Sequence, residues 1–232
     1  MSSLAIVTGA SRGIGFAVSR ELFRRGHEVV MVARDEAAVQ EAARTITRQV
    51  ATDGGATRPW AFDVSDEHAV EHLAHVLGQE GRVPNVLVNN AGIVRRGPLV
   101  EDTPLADWDA VLRVNLRGPF LICRAFLKGM KAAGRGRIVF VGSISSTLGC
   151  PNNAAYGASK WGAVGLMKSV AEEARGSGVV VTAVLPGSVD TEMLVGSGFA
   201  PAMSADDVAF TIVNLATDAP SALHGSAVEM FG

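Results

Sequence analysis

Tyrosine and lysine are scarce in this chain of 232 residues: one tyrosine, Tyr156, and four lysines stand against seventeen arginines. Cysteine occurs twice, at Cys123 and Cys150. Two cysteines without metal-type spacing make neither a metal site nor the disulfide framework of a small secreted domain. Reduced thiols, and so a cytoplasmic protein, are the expectation. Long hydrophobic runs are missing as well, and no stretch reaches the roughly 18 apolar residues of a membrane span. The opening run Leu4-Ala-Ile-Val7 is too short for a signal peptide and has no basic segment before it. Strong charge of either sign is lacking: the net value is −2, which gives no global attraction to nucleic acid or an anionic membrane. There is no internal repeat, low-complexity tract or linker.

Hydrophobic residues make up 48% and glycines number 26. That suits one α/β domain, residues 1–232, with a full core and many tight strand-to-helix turns. Leu4 to Thr8 reads as a buried strand, followed at once by Gly9-Ala-Ser11-Arg12-Gly13-Ile14-Gly15. Ile14, Ala17, Val18 and Leu22 then recur at helical spacing. A strand, a glycine-rich turn and a helix N-terminus form an anion site, because free backbone N–H groups and the positive dipole end face the ligand. Gly26 closes that helix and Glu28 to Val32 forms a second strand. Further elements follow: a helix over Glu36–Gln49, a strand over Arg58–Phe62, and a helix to Gln79 capped by Ser65 or Asp66. A fourth strand covers Asn85–Val88 and ends in Asn89-Asn90-Ala91-Gly92.

Thr8-Gly9-x-x-x-Gly13-x-Gly15 resembles the cofactor loop of the short-chain dehydrogenase/reductase family, in its branch of roughly 250 residues. The resemblance extends over essentially the whole chain. It implies a doubly wound Rossmann-type α/β fold, with a mainly parallel sheet of about seven strands and helices on both faces. Asp63-Val64 resembles the family's adenine-contacting pair, and Asn90-Ala91-Gly92 the run against which the cofactor ribose lies. NAD enzymes of this architecture place an acidic residue after the second strand to bond the ribose 2′-hydroxyl. Here that position is Ala33, with Arg34 next and Arg12 in the glycine loop. A guanidinium binds a 2′-phosphate that a carboxylate would repel, so NADP(H) is the expected cofactor. Asp35 is read as the start of the next helix.

The second half carries the chemistry. A helical pattern runs from about Thr103 to Ala133, interrupted at Asn115-Leu-Arg-Gly118, with a kink or break expected at Pro119. A strand over Arg137–Val141 leads to Gly142-Ser143, with Ser145 and Ser146 as neighbouring alternatives. Tyr156 and Lys160, four residues apart on a helix, share one face. A nearby ammonium favours phenolate, so a depressed tyrosine pKa is expected. The resemblance makes Asn115, Ser143, Tyr156 and Lys160 a catalytic tetrad: Ser143 holds the substrate oxygen and Tyr156 moves the proton. Lys160 binds the nicotinamide ribose, and Asn115 supports a water relay. Tyr156 and Lys160 thus count among the cofactor contacts too. A sixth strand over Val179–Leu185 runs into Pro186-Gly187-Ser-Val189-Asp-Thr191, the segment with which the family clamps the nicotinamide. Ala205–Ala216 is a final helix and Ala227–Met230 a last strand.

Only eleven residues separate Thr191 from Met203, where many relatives carry a longer lid, so a more open pocket, or one closed by a neighbouring subunit, is expected. Arg95 and Arg96 are candidates for an acidic substrate group. Arg124, Lys128, Lys131, Arg135 and Arg137 are candidates for docking an acidic carrier protein. Val164, Leu166, Met167 and Val170 are candidates for subunit pairing in a homotetramer or dimer. The expected activity is reversible hydride transfer between NADP(H) and a ketone or secondary alcohol, mainly carbonyl reduction, with a 3-oxoacyl thioester as one substrate and no metal. The alternatives are an NAD-dependent alcohol dehydrogenase of the same family, a non-catalytic NADP(H) sensor and a purely structural component.

Overall fold

The computed structural model describes residues 3–50 and 54–232. Seven strands make one sheet in the order β3-β2-β1-β4-β5-β6-β7, and every neighbouring pair is parallel. The strands are β1 (Leu4–Thr8), β2 (Glu28–Ala33), β3 (Ala56–Ala61), β4 (Val86–Asn89), β5 (Gly136–Val141), β6 (Val179–Pro186) and β7 (Ala227–Met230). The helices are α1 (Gly13–Arg24), α2 (Glu36–Gln49), α3 (Glu67–Gln79), α4 (Leu105–Leu112), α5 (Gly118–Ala132), α6 (Ala154–Ala174) and α7 (Ala205–Thr217).

Parallel strands covered on both faces read as unbroken apolar runs, and β1 is buried at all five positions. Its side chains alternate between two cores, as the two-residue repeat requires. Ala5 and Val7 join the cluster under α1, α2 and α7, while Leu4 and Ile6 join the one under α3, α5 and α6. The apolar stripes of the helices close both faces: Ala17, Val18 and Leu22 of α1 on one side, and Val70, Leu73 and Leu77 of α3 on the other.

β3 begins two residues earlier than the apolar pattern of 58–62 indicates and ends one earlier. It is an edge strand set by its pairing with β2, Glu28 opposite Ala56, so its weak apolar signal and Pro59 are tolerated there. Asp35 caps α2 by accepting from the Ala38 N–H at 2.9 Å. Asp66 caps α3, while the Ser65 hydroxyl instead donates to Asp63 at 2.7 Å.

The interruption near Asn115 is not a break. A π-helical turn over Arg113–Arg117 joins α4 to α5, and the Gly118 N–H reaches the Arg113 carbonyl. Pro119 has no N–H to give the Asn115 carbonyl four residues back, so the chain widens rather than kinks.

The α6 residues expected to pair subunits are mostly spent inside. Met167 and Val170 are buried in the core, and Val164 and Leu166 pack against it. The exposed apolar side chains of this region are Leu105, Phe120 and Trp161. Of the basic residues of α5 and β5, Arg124, Lys128, Lys131 and Arg135 are exposed. Arg124 pairs with Glu67 and Glu71 of α3, whereas Arg137 donates to the Leu215 carbonyl of α7 on the opposite side of the sheet. Among the described residues, no helix is long and apolar enough to cross a membrane.

Candidate active site

The strand order reverses between β1 and β4, so the loops leaving their carboxyl ends diverge and open a crevice. Thr8 and Asn90 lock its floor. The Thr8 hydroxyl donates to the Val88 carbonyl at 3.2 Å and accepts from the backbone N–H groups of Asn90 and Ala91, both at 3.0 Å. The Asn90 amide donates to the carbonyls of Thr8 at 2.9 Å and Gly9 at 3.2 Å. This interlock leaves no room for a side chain at Gly9 or Gly15. A Cβ on Gly9 would lie 2.9 Å from Ala91 Cα, and one on Gly15 would run into the Gly9 carbonyl oxygen.

Above the floor lies a cleft of ≈ 1300 Å³. Of the residues expected to hold a dinucleotide, Gly9, Ser11, Arg12, Gly13, Ile14, Arg34, Asp63, Val64, Asn90, Ala91, Gly92 and Thr191 line it. Thr8 and Gly15 lie in the interlocked floor. Pro186, Gly187 and Val189 brace the wall behind it: the Gly187 N–H donates to the Met230 carbonyl at 2.8 Å, and Val189 is buried in the core. No side chain caps the start of α1 and no acid lies in its first turn, unlike α2, α3 and α7. Its free N–H groups and dipole are therefore open to an anion. The glycine cradle, this uncapped terminus and two cleft-lining guanidiniums fit a dinucleotide with an extra phosphate.

The four tetrad residues come from three elements, the π turn, the end of β5 and α6, and meet beside the cleft, behind Gly92. Tyr156 and Lys160 lie on the buried face of α6, with the Lys160 ammonium 5.6 Å from the centre of the Tyr156 ring. Lys160 Nζ donates to the Val141 carbonyl at 2.8 Å. Ser143 stands at the end of β5, and its hydroxyl accepts from the Ser145 N–H at 3.1 Å. Ser146 is buried and its hydroxyl accepts from the Ser143 N–H at 3.3 Å. Asn115, on the π turn, accepts from the Ile93 N–H at 2.8 Å and donates to the Ile93 carbonyl at 2.9 Å and to Ser159 Oγ at 3.0 Å. Gly92 links tetrad and cleft. A Cβ there would lie 3.4 Å from Asn115 Oδ1 and 3.6 Å from Lys160 Nζ.

Burial decides the proton affinities. It pushes Lys160 down to about 8. It also pushes the Tyr156 phenol above its ordinary value, while the neighbouring Ser143 hydroxyl and the Arg96 charge act in the opposite direction. The depressed tyrosine expected from the Tyr–Lys spacing is thus absent from the protein on its own, because desolvation outweighs the favourable neighbours.

The short segment after Thr191 still reaches the tetrad. It turns back as a strap, with a 3₁₀ turn at Glu192–Leu194, and brings Met193 Sδ to 4.0 Å from Tyr156 Oη. Arg96 holds it, donating to the Met193 carbonyl at 2.8 Å and the Val195 carbonyl at 3.4 Å. Arg12 pairs with Glu192 at 2.9 Å, and Arg95 faces Asp107 at 3.5 Å. Met193, Glu192 and the strap role of Arg96 have no counterpart in the sequence pattern, since the contact between Arg96 and Met193 spans 97 residues.

Fold and crevice together define a nicotinamide-dependent oxidoreductase of the Rossmann type. Residues 3–198 match the short chain dehydrogenase family, and the chain belongs to it. A D-threitol dehydrogenase of Mycolicibacterium smegmatis is 35% identical over 99% of this chain and 91% of its own length. A gluconate 5-dehydrogenase of Burkholderia cenocepacia, solved with NADP and tartrate, superposes with a TM-score of 0.90 at 28% identity, over 100% of this chain and 95% of that one. A 3-oxoacyl-[acyl-carrier protein] reductase of Brucella melitensis, solved with NAD, gives a TM-score of 0.88 at 29% identity, over 99% of this chain and 90% of that one.

Proposed function

We propose that this chain is a cytoplasmic NADP(H)-dependent carbonyl reductase, a single domain of 1–232 that binds cofactor and catalyses reversible ketone/secondary-alcohol interconversion. The observation that carries the reading is the ammonium of Lys160, buried directly behind cleft-lining Gly92 and one helical turn from Tyr156. A lysine is left in such a place, at a desolvation cost, when its charge is used.

Bound along the cleft, the nicotinamide would supply the hydride. The uncapped start of α1 and the glycine loop would hold its pyrophosphate, Asp63 and Val64 would flank the adenine, and Lys160 would take the ribose hydroxyls. Ser143 positions the carbonyl oxygen and Tyr156 donates the proton that converts it to hydroxyl. The phenol is kept protonated by burial, the form a reduction needs. Asn115 positions the Ile93 backbone against the cleft, and its carbonyl, which Pro119 has no N–H to bond, would be open to a proton relay.

The preference for the phosphorylated cofactor rests on Arg34 and Arg12, since the likeness extends to proteins solved with NADP and with NAD. Arg34→Ala should weaken NADPH by about 10- to 100-fold, the worth of a charge-assisted bond, and spare NADH. An NADH preference in the wild-type kcat/KM would contradict this reading.

For substrate, the likeness to threitol and gluconate dehydrogenases supports a small polyol or sugar-acid ketone. The pairing of Arg124 with α3 and the withdrawal of Arg137 to α7 count against a docking face for an acyl carrier, while the exposed Lys128, Lys131 and Arg135 and the oxoacyl reductase likeness keep 3-oxoacyl thioesters on the panel. NADPH consumption with that panel tests the reading. Tight binding without turnover on any member would favour a sensor. The exposed Leu105, Phe120 and Trp161 support a homo-oligomer, a tetramer or dimer, and light scattering that finds a monomer would contradict it.

A further inference from the structure

We propose that Glu192 is a cofactor-selectivity residue, whose carboxylate occupies Arg12 until a 2′-phosphate displaces it and so loosens the strap over Tyr156. The proposal rests on the NADP(H) reading. Arg12 lines the cleft together with Arg34, yet its guanidinium is engaged by Glu192 at 2.9 Å. Both side chains are 70% exposed, so the pair is weak enough to exchange for a better anion. A phosphate bearing close to two negative charges is such an anion. The root of the strap is fixed beside the same loop, since a Cβ on Gly13 would lie 3.2 Å from Thr191 Cγ2.

The next residue after Glu192 is Met193, the cover of the Tyr156 hydroxyl. Two arginines therefore tether the strap, Arg12 on the cofactor side through Glu192 and Arg96 on the substrate side through the Met193 and Val195 carbonyls. A cofactor with a ribose 2′-hydroxyl makes no demand on Arg12 and leaves both tethers in place. One with a 2′-phosphate takes Arg12 and leaves only Arg96. Linkage makes this reciprocal: whatever the Glu192 pair contributes to closure is subtracted from affinity for the phosphorylated cofactor.

The test is equilibrium binding to wild type and Glu192→Gln, with NADPH, NADH, 2′,5′-ADP and 5′-AMP as titrants, and amide exchange over 192–195. Glu192→Gln should tighten NADPH and 2′,5′-ADP by about two- to fivefold, the range of an exposed ion pair, and leave NADH and 5′-AMP unchanged. In wild type, 2′,5′-ADP should speed exchange in the strap and 5′-AMP should not. In Glu192→Gln exchange should already be fast. Equal effects on phosphorylated and unphosphorylated ligands, or none on either, would overturn the coupling while a wild-type preference for NADPH left the cofactor reading standing. A wild type that binds 2′,5′-ADP no better than 5′-AMP would overturn that reading, and the proposal with it.

Discussion

The floor of the crevice and the strap above it are built on opposite principles. The floor is side chain against backbone: the Thr8 hydroxyl and the Asn90 amide lock the backbone through five hydrogen bonds, and Gly9 and Gly15 make contacts too close for a methyl group. The strap is held by exposed arginines bonding carbonyls and one carboxylate, all open to exchange with solvent or ligand. A rigid floor fixes where an anion and a ribose lie. A loosely tethered strap lets substrate reach a tyrosine that is otherwise covered. The tetrad belongs to the floor by its burial and to the strap by its access.

The comparison breaks most violently at Gly15. Gly15→Ala should cost about 3 kcal/mol or more, the upper end of overpacking, with cofactor binding lost, because the new methyl meets the Gly9 carbonyl and the Asn90 amide. Chemical denaturation and a binding titration check it; a stable, cofactor-competent variant would mean the floor is looser than described. Asn115→Ala comes next. Asn115 is buried and makes three hydrogen bonds that tie the π turn to Ile93 and α6. Their loss should cost about 2–3 kcal/mol and raise the amide exchange of 92–94.

A smaller effect sharpens the place of Lys160. Its folded pKa is lowered to about 8 from 10.5. Below about 8 the ammonium is charged in both states, and the full burial penalty is present. As pH rises from about 8 towards 10.5 the folded protein sheds the proton before the unfolded chain does, so stability rises through this window. Lys160→Met has no such proton to lose. Denaturation curves against pH should show wild type gaining on the variant across the window, and parallel curves would place the ammonium in solvent.

Much of this was legible in the chain because its signals are local. The TGxxxGxG turn, the seven apolar runs and the Tyr156–Lys160 spacing each lie within a few residues. The parallel sheet was implied by the family resemblance, and Asp35 was placed by its position at the start of the helix that it caps. What escaped was set by distant partners. The start of β3 depends on its register with β2, and the π turn on how α4 and α5 share one helix axis around Pro119. The strap depends on Arg96 finding carbonyls 97 and 99 residues further on. The proton affinity of Tyr156 escaped for the same reason: spacing reveals the lysine beside it but not the depth of burial, which dominates. The α6 residues chosen for subunit pairing were apolar, and apolarity alone does not distinguish a core face from an outer one.

The most direct measurement is single-turnover reduction by Tyr156→Phe. The variant keeps the ring that packs with Val111 and Ala155 and loses only the hydroxyl. It should fold, bind NADPH with wild-type affinity, and reduce the best ketone of the panel about 10²–10⁴-fold more slowly, the contribution of a lost general acid. Near-normal turnover in a folded, cofactor-saturated Tyr156→Phe would contradict the account, leaving the one tyrosine of the chain as packing.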